Sequence, residues 1–199
     1  MIADVVIATK NPDKVVEMEA VLGEVLPGIT IVKGVVWPDV EETGATLEEN
    51  ALLKARAVME ATGYPAIADD TGLEVDALEG APGVHTARFA GPDATYAENR
   101  SALLRALDEV DDRSARFRTA VAIVTPAGFS LVVQGVLEGR IALAEHGERG
   151  FGYDSVFEVD DEHTLADISG TGKNQMSHRR RAFEALAAAL TALSEDHLP

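Results

Sequence analysis

The chain lacks several features that would assign it to common protein classes. It contains no cysteine in 199 residues, which excludes a disulfide framework and a thiolate metal site. Its uninterrupted apolar runs are far shorter than the roughly 18 residues that a membrane-spanning helix needs. The opening residues Met1 to Asp4 lack the basic segment of a signal peptide. These absences predict a cytoplasmic chain that is neither exported nor inserted in a membrane.

Positive charge is also scarce. Lysine and arginine total 17 against 34 aspartates and glutamates, which gives a formal net charge of -17. Such a surface repels a polyanion, so we expect no long nucleic acid partner, whereas a few basic side chains suffice to bind a small phosphate compound. The one tight basic cluster is Arg179 to Arg181. A hydrophobic content of 46% supports a globular protein, and the length of 199 residues predicts a single domain over residues 1–199.

The first half of the chain alternates strand and helix patterns. An apolar run at 5–8 predicts a strand, and Asn11 with Pro12 suits the cap and first position of a following helix, which Pro27-Gly28 closes. Thr46 to Glu49 fits a capping box that opens a second helix. The patterns predict a further strand at 29–32 and continue the second helix over 50–61 until Gly63. The next predicted strand begins with the apolar run 65–68 and bears Asp69 and Asp70.

The second half favours antiparallel strands. Two β-rich runs are separated by Pro126-Ala127-Gly128, a sequence typical of a hairpin turn. The patterns predict a loop at 80–92, a helix over about 94–109, hairpin strands at 116–125 and 129–137, and a last helix from the cap Ser177 to about Leu193. The class is therefore α/β, with parallel and antiparallel pairing in a mixed sheet.

Two adjacent carboxylates follow the apolar run at 65–68. Asp69 and Asp70 suit a hard cation such as Mg²⁺, which shares its octahedron among carboxylates, waters and substrate phosphates. Glu41 and Glu42 lie in a loop just before a helix, and either can reach a cation held by the aspartates. The alternative for this acidic loop is a solvated surface segment.

The segment from Thr9 to Lys14 joins the first strand to the first helix. Its residues Thr9, Lys10, Asn11, Pro12, Asp13 and Lys14 place backbone N–H groups, neutral donors and positive charge at a helix N-terminus. Such a turn predicts an anion site, and the alternative is an ordinary capped turn with a solvated lysine. Lys54, about two turns into the second helix, is either a second phosphate ligand or a surface lysine.

Two later segments carry groups that suit a heterocyclic base. Phe151, Gly152, Tyr153 and Asp154 combine aromatic rings, a flexible backbone and a carboxylate, either to sandwich a base or to pack as a tight turn. Lys173, His178 and Arg179 cluster at the start of the last helix, where a cap, the helix dipole and several donors favour an electron-rich ligand.

Together these segments resemble the inosine triphosphatase family, also called Ham1-like or RdgB-like, which are pyrophosphatases of non-standard purine nucleoside triphosphates. The resemblance spans nearly the whole chain. It rests on the ordered matches Thr9-x-Asn11-x-x-Lys14 with Glu17, Glu42-Thr43-Gly44, Glu49-Asn50-Ala51, Ala68 to Leu73, Ala81 to Val84, Ala87 to Gly91, Gly150 to Asp154 and Ser177-His178-Arg179.

The resemblance implies a fold, a reaction and a set of roles. The fold is a long, twisted mixed sheet with flanking helices, in two lobes around a central nucleotide-binding cleft, and the assembly is a homodimer. The reaction is Mg²⁺-assisted hydrolysis of ITP, dITP and XTP to monophosphate and pyrophosphate. Asp70 is implied as general base and metal ligand, supported at the metal by Asp69 and by Glu41 or Glu42. The residues implied to bind substrate are Thr9 to Lys14, Thr71 and Lys173, chiefly at the phosphates, and Phe151 to Asp154, His178 and Arg179 at the base.

The chemistry of the residues agrees with this reaction. His178 and Arg179 can donate to a 6-keto oxygen, whereas adenine's 6-amino group would leave buried donors unpaired, a mismatch that discriminates by roughly 10⁴-fold. Two alternatives remain open: a nucleotide phosphatase with a modified pyrimidine substrate or phosphate as product, and a nucleotide-binding module without activity. A binding module has no need for the acid cluster, so the cluster favours an enzyme.

Overall fold

The computed structural model describes residues 4–169, 172 and 175–195. In this part of the chain the strands are β1 (Asp4–Ile7), β2 (Thr30–Ile31), β3 (Ala66–Val75), β4 (Pro82–Gly83), β5 (Ser114–Val124), β6 (Ser130–Ile141) and β7 (Phe157–Glu158). The α-helices that position the candidate site are α1 (Pro12–Val25), α2 (Leu47–Thr62), α3 (Tyr96–Ala106) and α4 (His178–Glu195).

The strands form one mixed sheet in the order β2-β1-β3-β5-β6-β7, with β4 paired to β3. Strand β1 runs parallel to both β2 and β3. Strands β4 and β7 are antiparallel to β3 and β6. The prediction of an α/β chain with a mixed sheet is therefore confirmed.

The helix ends follow the capping signals in the sequence. The side chain of Asn11 accepts hydrogen bonds from the backbone N–H groups of Asp13 and Lys14, and Thr46 accepts from Glu49 in the same way at α2. Helix α2 ends at Gly63, whose φ of 74° lies in the left-handed region that favours glycine. These ends agree with the predicted starts of α1 and α2 and with the predicted end of α2.

Several predicted boundaries were wrong. Strand β3 does not end at the aspartates but continues to Val75, because Leu73 and Glu74 pair with β4. Strand β4 itself lies inside the segment 80–92 that was predicted as a loop. The hairpin strands β5 and β6 are longer than predicted, whereas α3 is shorter. Thr95 caps the start of α3, and the chain leaves the helical conformation by Glu109, whose φ is 59°.

Two compact units divide the described chain. The first falls within Met1–Asp70, Thr119–Gly135 and Arg179–Pro199, and the second within Thr71–Arg118 and Val136–His178. The core of the first unit consists of strand residues together with side chains from α1 and α4. Its largest buried members include Val5, Ile7, Met18, Leu22, Ile67, Ile123, Phe183 and Leu186. The prediction of one domain in two lobes stays a prediction.

The core of the second unit is built around α3 and the strands β5, β6 and β7. Its buried members include Leu73, Leu103, Leu107, Phe117, Ile141, Tyr153, Phe157 and Leu165. Tyr153 belongs to one of the segments predicted to bind substrate, so part of that segment is anchored in this core. Across residues 4–169, 172 and 175–195, none of the helices combines the length and apolar character that crossing a membrane requires.

The capping box of α3 offers a test of local stability. Thr95 accepts from the N–H of Glu98, and the Glu98 carboxylate accepts from the N–H of Thr95. We expect Thr95→Ala to lower the free energy of unfolding by about 1 kcal/mol in urea denaturation. Ser101→Ala, in the middle of the same helix, is the control and should leave stability unchanged or slightly raised. An equal loss in both variants would contradict the assignment of the cap.

Candidate functional site

The two adjacent aspartates of β3 belong to different environments. Successive side chains of a strand point to opposite faces of the sheet. Asp69 accordingly meets α1 and α4 through Lys14 and Arg179, whereas Asp70 meets α2 through Asn50 and Lys54. The acid pair that the sequence presents as one feature is therefore two features on two faces.

Asp69 is enclosed by cations. Its side chain has 0% exposure, and its Oδ2 accepts from Nε and Nη2 of Arg179, each at 3.1 Å. The ammonium of Lys14 lies 3.2 Å from Oδ2 and 3.3 Å from Oδ1. The third nitrogen of the Arg179 guanidinium donates to Glu17. Both oxygens of Asp69 are thus engaged by positively charged side chains.

The charges fix the ionisation of this group of residues. Burial alone would raise the pKa of Asp69, but Lys14, Arg179 and Lys54 together outweigh burial and hold the pKa well below its ordinary value. Burial lowers the pKa of Lys14, and the charge of Asp69 only partly offsets this. Asp69 is therefore a permanent anion, suited to holding Lys14 and Arg179 in place rather than to exchanging protons.

Asp70 has a different set of partners. Its Oδ1 accepts from Lys54 at 2.8 Å, and its Oδ2 accepts from the Asn50 amide at 3.3 Å. Lys54 also donates to Oε1 of Glu42 at 2.8 Å. One ammonium thus joins two carboxylates, and the ammonium-bearing side chain is only 11% exposed. Lys54 is therefore a largely buried, ion-paired lysine and not a solvated surface residue, and its role as a phosphate ligand stays a prediction.

The pKa of Asp70 moves in the direction opposite to that of Asp69. Burial is the main cause and raises the pKa of Asp70, with a further increase from the charge of Glu42, while Lys54 and Lys14 only partly compensate. For Lys54, burial would lower the pKa, but Asp70, Asp69 and Glu42 outweigh it and raise the pKa. Asp70 is thus more basic than an ordinary aspartate and lies beside a permanent cation.

The loop before α2 distinguishes the two glutamates. Glu42 is half-buried and bonded to Lys54, whereas Glu41 is exposed. The backbone N–H of Gly44 donates to Oδ1 of Asn50 at 2.8 Å. Since Asn50 also donates to Asp70, one buried amide connects the loop of Glu42 to the carboxylate of Asp70.

The predicted anion turn forms the N-terminal cap of α1. Oδ1 of Asn11 accepts from the N–H groups of Asp13 and Lys14, and the hydroxyl of Thr9 accepts from the N–H of Asn11. The exposed Lys10 forms an ion pair with Asp39 at 2.6 Å. Pro12 and Asp13 are exposed. The roles of Thr9, Lys10, Asn11, Pro12, Asp13 and Lys14 in substrate binding stay predictions.

The glycine-rich segment 150–154 in the second unit forms a closed turn. Oδ2 of Asp154 accepts from the N–H of Phe151 at 2.8 Å, and the N–H of Asp154 donates to the Phe151 carbonyl at 3.2 Å. Gly150 has a φ of 75°, and a Cβ there would collide with the Asp154 carboxylate, so glycine is required. The turn thereby presents the half-buried Phe151 ring in a defined position.

The neighbours of this turn are polar as well as aromatic. The hydroxyl of Tyr153 donates to the Thr86 carbonyl at 2.9 Å, and burial raises the pKa of Tyr153 above its ordinary value. A cavity of about 200 Å³ is lined by Arg100, Glu145 and most residues of segment 147–155. This volume is below the roughly 300 Å³ at which ligand pockets begin, so it suits part of a ligand rather than a whole nucleotide.

The other residues predicted to bind substrate lie in different surroundings. The buried His178 ring stacks on Phe117 with 4.8 Å between centroids and 28° between planes. Arg179 directs its guanidinium to Asp69 and Glu17, so its predicted contact with a base stays a prediction. Thr71 is half-buried in β3 next to Asp70. Lys173 lies outside the described residues.

Sequence reasoning assigned no role to Asn50 or Arg100. Asn50 is fully buried and contacts Asp70, and its spacing from Lys54 and Val58 places it on the inward stripe of α2. Two polar residues one turn apart, Asn50 and Lys54, on a helix face whose other members are mostly apolar were the available signal. Arg100 donates to the Gly152 carbonyl at 2.9 Å, a contact between distant segments that no local pattern predicts.

Few of the described carboxylate and imidazole side chains lie close enough together to bind one metal ion. Across the part of the chain that the structure describes, no group of three or more His, Cys, Asp or Glu side chains lies close enough together to hold a metal ion on its own. Next to the aspartates, Glu42 and Asp70 converge through their shared contact with Lys54. A cation at this place would therefore need further oxygen ligands from elsewhere.

Comparison with known proteins gives full-length matches. The model of the Ham1 family matches residues 5–189. A dITP/XTP pyrophosphatase from Leifsonia xyli subsp. xyli is 46% identical over 194 residues, which cover 96% of each chain. One from Bacillus licheniformis is 45% identical over 94% of this chain and 97% of that protein. The solved structure of the Staphylococcus aureus Ham1 protein has a TM-score of 0.84 at 38% identity, covering 95% of this chain and 98% of that one.

Proposed function

This chain belongs to the Ham1 family, and we propose that it hydrolyses non-standard purine nucleoside triphosphates, namely dITP, XTP and ITP, to the monophosphate and pyrophosphate. Relatives named dITP/XTP pyrophosphatase match it over nearly their whole length. The observation that carries the proposal is the contrast between Asp69 and Asp70. Both oxygens of Asp69 are engaged by Lys14 and Arg179, whereas Asp70 is held by Asn50 and by a lysine that it shares with Glu42.

Asp70 is the proposed general base. A carboxylate of raised pKa accepts a proton more readily than an ordinary aspartate, and a general base works best when its pKa approaches the working pH. Asp70 would orient a water molecule toward the α-phosphorus and take its proton as the new P–O bond forms. The bond to the bridging oxygen breaks, and pyrophosphate leaves. Asn50 keeps the Asp70 carboxylate oriented through its bond to Oδ2.

Basic side chains supply the charge stabilisation that this transfer needs. Hydrolysis concentrates negative charge on the leaving pyrophosphate, and fixed cations stabilise that charge without reorganising. Lys54 is the permanent ammonium next to the base. We assign Lys14, which Asp69 holds in place, and the Thr9 to Asn11 turn to the phosphates as well. Asp69 then acts through Lys14 and Arg179, because both of its oxygens already meet cations.

The donors present fit a Mg²⁺ ion. Glu42 and Asp70 each place an oxygen 2.8 Å from the same Lys54 nitrogen, so both carboxylates converge on one positive charge. Mg²⁺ is usually held by one or two carboxylates together with waters and substrate phosphates, which suits a two-carboxylate site. We propose that Glu42 and Asp70 hold the ion and that Glu41 does not. When bound, Mg²⁺ would neutralise the triphosphate and polarise its phosphoryl oxygens.

The turn 150–154 and His178 are the proposed base-binding groups. Phe151 offers a half-buried ring for stacking, and Asp154 fixes that ring by closing the turn. His178, held on the Phe117 ring, is the proposed donor to the 6-keto oxygen of the purine. A site that donates at this position rejects a 6-amino group, because the donor would be left unpaired.

A product assay tests the proposed function. Purified protein with Mg²⁺ is expected to convert XTP, dITP or ITP to monophosphate and pyrophosphate much faster than ATP. Chromatography of the nucleotide products, with separate assays for pyrophosphate and orthophosphate, reads out the reaction. Release of orthophosphate instead would support the alternative nucleotide phosphatase, and tight binding without turnover would support a binding module.

The two neighbouring glutamates give a matched test of the metal assignment. We expect Glu42→Gln to raise the Mg²⁺ concentration for half-maximal activity by about tenfold or more, because a charged ligand is lost. Glu41→Gln removes an equal charge from an exposed position and should leave that concentration unchanged. Magnesium titrations of initial rate measure both. The assignment fails if the two variants behave alike.

Three further parts of the proposal concern assembly, location and partners, and the family resemblance supports the first of them. We propose that the protein acts as a homodimer, that it works in the cytoplasm, and that it has no long nucleic acid partner. The net charge of -17 supports the last point through repulsion of a polyanion. Light scattering coupled to size-exclusion chromatography measures the oligomeric state, and a monomer at micromolar concentration would contradict the first point.

A further inference from the structure

Three polar side chains outside the turn 150–154 form a hydrogen-bonded group that contacts the turn through Arg100. Nη1 of Arg100 donates to the Gly152 carbonyl at 2.9 Å, and Nε of the same guanidinium donates to Oε2 of Glu145 at 2.8 Å. The hydroxyl of Ser155 donates to that same carboxylate oxygen at 3.1 Å. Arg100, Glu145 and Ser155, called here the bracing group, thus connect the middle of the turn to the residue that follows it.

The planar guanidinium of Arg100 fixes the relative positions of the two groups that it contacts. Arginine presents its donors in a rigid planar fork, so an acceptor at Nε and another at Nη1 are fixed relative to each other. The Arg100 side chain is 19% exposed and the Glu145 side chain 41%. An ion pair this exposed adds little to overall stability. Its main effect is therefore on the position of the Gly152 carbonyl and the backbone around it.

A second contact connects α3 to the same turn. Tyr96 lies four residues before Arg100, so the two side chains share one face of the helix. The ring of Tyr96 lies 6.1 Å from that of Phe151, at an angle of 38°. Helix α3 thereby touches two successive residues of the turn, Phe151 through Tyr96 and Gly152 through Arg100. Arg100 and Glu145 also line the cavity next to the turn.

We propose that Arg100 and Glu145 are positioning residues that set the affinity of this protein for the purine base. The inference rests on the proposed function, because it assumes that the turn 150–154 receives the base. Arg100 acts by holding the Gly152 carbonyl, and thus the adjoining Phe151 ring, in the orientation that stacks on a purine. Glu145 acts by holding the Arg100 guanidinium in its plane. Neither residue takes part in phosphate chemistry.

Steady-state kinetics of Arg100→Leu test the inference. We expect KM for XTP to rise about tenfold, the factor expected when one charge-assisted hydrogen bond is lost. The value of kcat should stay within about twofold, because the lost interaction is the same in ground state and transition state. Arg105→Leu, an exposed arginine on the same helix, is the matched control and should leave both constants unchanged. Arg100→Lys keeps a cation for Glu145 and should recover part of the affinity.

Two inhibitors separate the base from the phosphates. Inorganic triphosphate carries no base, so its inhibition constant should be the same in wild type and Arg100→Leu. Xanthosine monophosphate carries the base, and its inhibition constant should rise by about the same factor as KM. Equal values of KM for XTP in wild type and Arg100→Leu would overturn the inference. So would a parallel loss of affinity for both inhibitors, which indicates general damage.

Failure of the inference and failure of the proposed function have different signatures. Wild-type protein that releases no pyrophosphate from any purine triphosphate overturns the proposed function. Calorimetric titration with xanthosine monophosphate still tests the bracing group in that case, since binding needs no turnover. If Arg100→Leu loses its native circular dichroism, Glu145→Gln replaces it, because that change keeps the side-chain shape. A KM for XTP about threefold higher is then expected, and an unchanged KM overturns the inference.

Discussion

Asp70→Asn is expected to lower kcat by about 10²- to 10⁴-fold, the range typical for loss of a general base. The amide matches the carboxylate in shape but cannot accept a proton from water. Lys54 keeps its second partner, Glu42, so the ammonium that we propose for phosphate binding stays in place. Asp70→Asn also removes a proposed Mg²⁺ ligand, so we expect nucleotide binding to survive at saturating Mg²⁺ while turnover is lost. Single-turnover rates with XTP and calorimetric titration with a non-hydrolysable analogue measure the two effects separately.

A control on the same segment makes the result specific. Asp76 follows β3 directly, is exposed, and pairs with Arg116. Asp76→Asn removes one negative charge, as Asp70→Asn does, and should leave kcat unchanged. If Asp70→Asn retains more than about a tenth of wild-type kcat, the assignment of Asp70 as general base is wrong. A loss of nucleotide binding equal to the loss of kcat would assign Asp70 to binding instead.

The sequence predicted elements whose signals are local. The caps at Asn11 and Thr46 and the left-handed Gly63 depend on neighbouring residues, and their positions in the structure agree with the predictions. The end of β3 was predicted wrongly because it depends on β4, a pairing between Glu74 and Pro82 across a segment of glycine and proline. Pairings of this kind leave no periodic signal in either partner.

The candidate site likewise has features that the local sequence predicts and features that depend on distant contacts. Motifs identified Asp69 and Asp70, and strand alternation applied to β3 would have placed them on opposite faces. Which of the two is basic depended on helices distant in sequence, namely α1 and α4 around Asp69 and α2 beside Asp70. The choice between Glu41 and Glu42 likewise needed the position of the Lys54 ammonium. Charge environments depend on tertiary contacts, so sequence alone supplied the residues but not their ionisation.

Asp69→Asn is expected to destabilise the protein by about 3–5 kcal/mol, the cost of breaking a buried ion pair by removing one partner. The substitution leaves Lys14 and Arg179 facing a neutral amide in a site where the Asp69 side chain has 0% exposure. The pKa of Asp69 lies below its ordinary value of 3.8, so its ionised form favours folding. This contribution is complete above pH 3.8 and is lost progressively as the pH falls below that value. Urea denaturation at neutral and acidic pH measures it.

Asp70→Asn is the matched variant, one residue away on the same strand. Because the pKa of Asp70 is raised in the folded protein, its ionised form disfavours folding at neutral pH. Replacing it with a neutral isostere should cost less stability than Asp69→Asn does, because Lys54 keeps Glu42 as a partner, while activity is lost. The adjacent substitutions thus have different expected effects: Asp69→Asn affects stability first, and Asp70→Asn affects catalysis first. Equal stability losses in the two variants at neutral pH would contradict the assignment of Asp69 as the anion that organises Lys14 and Arg179.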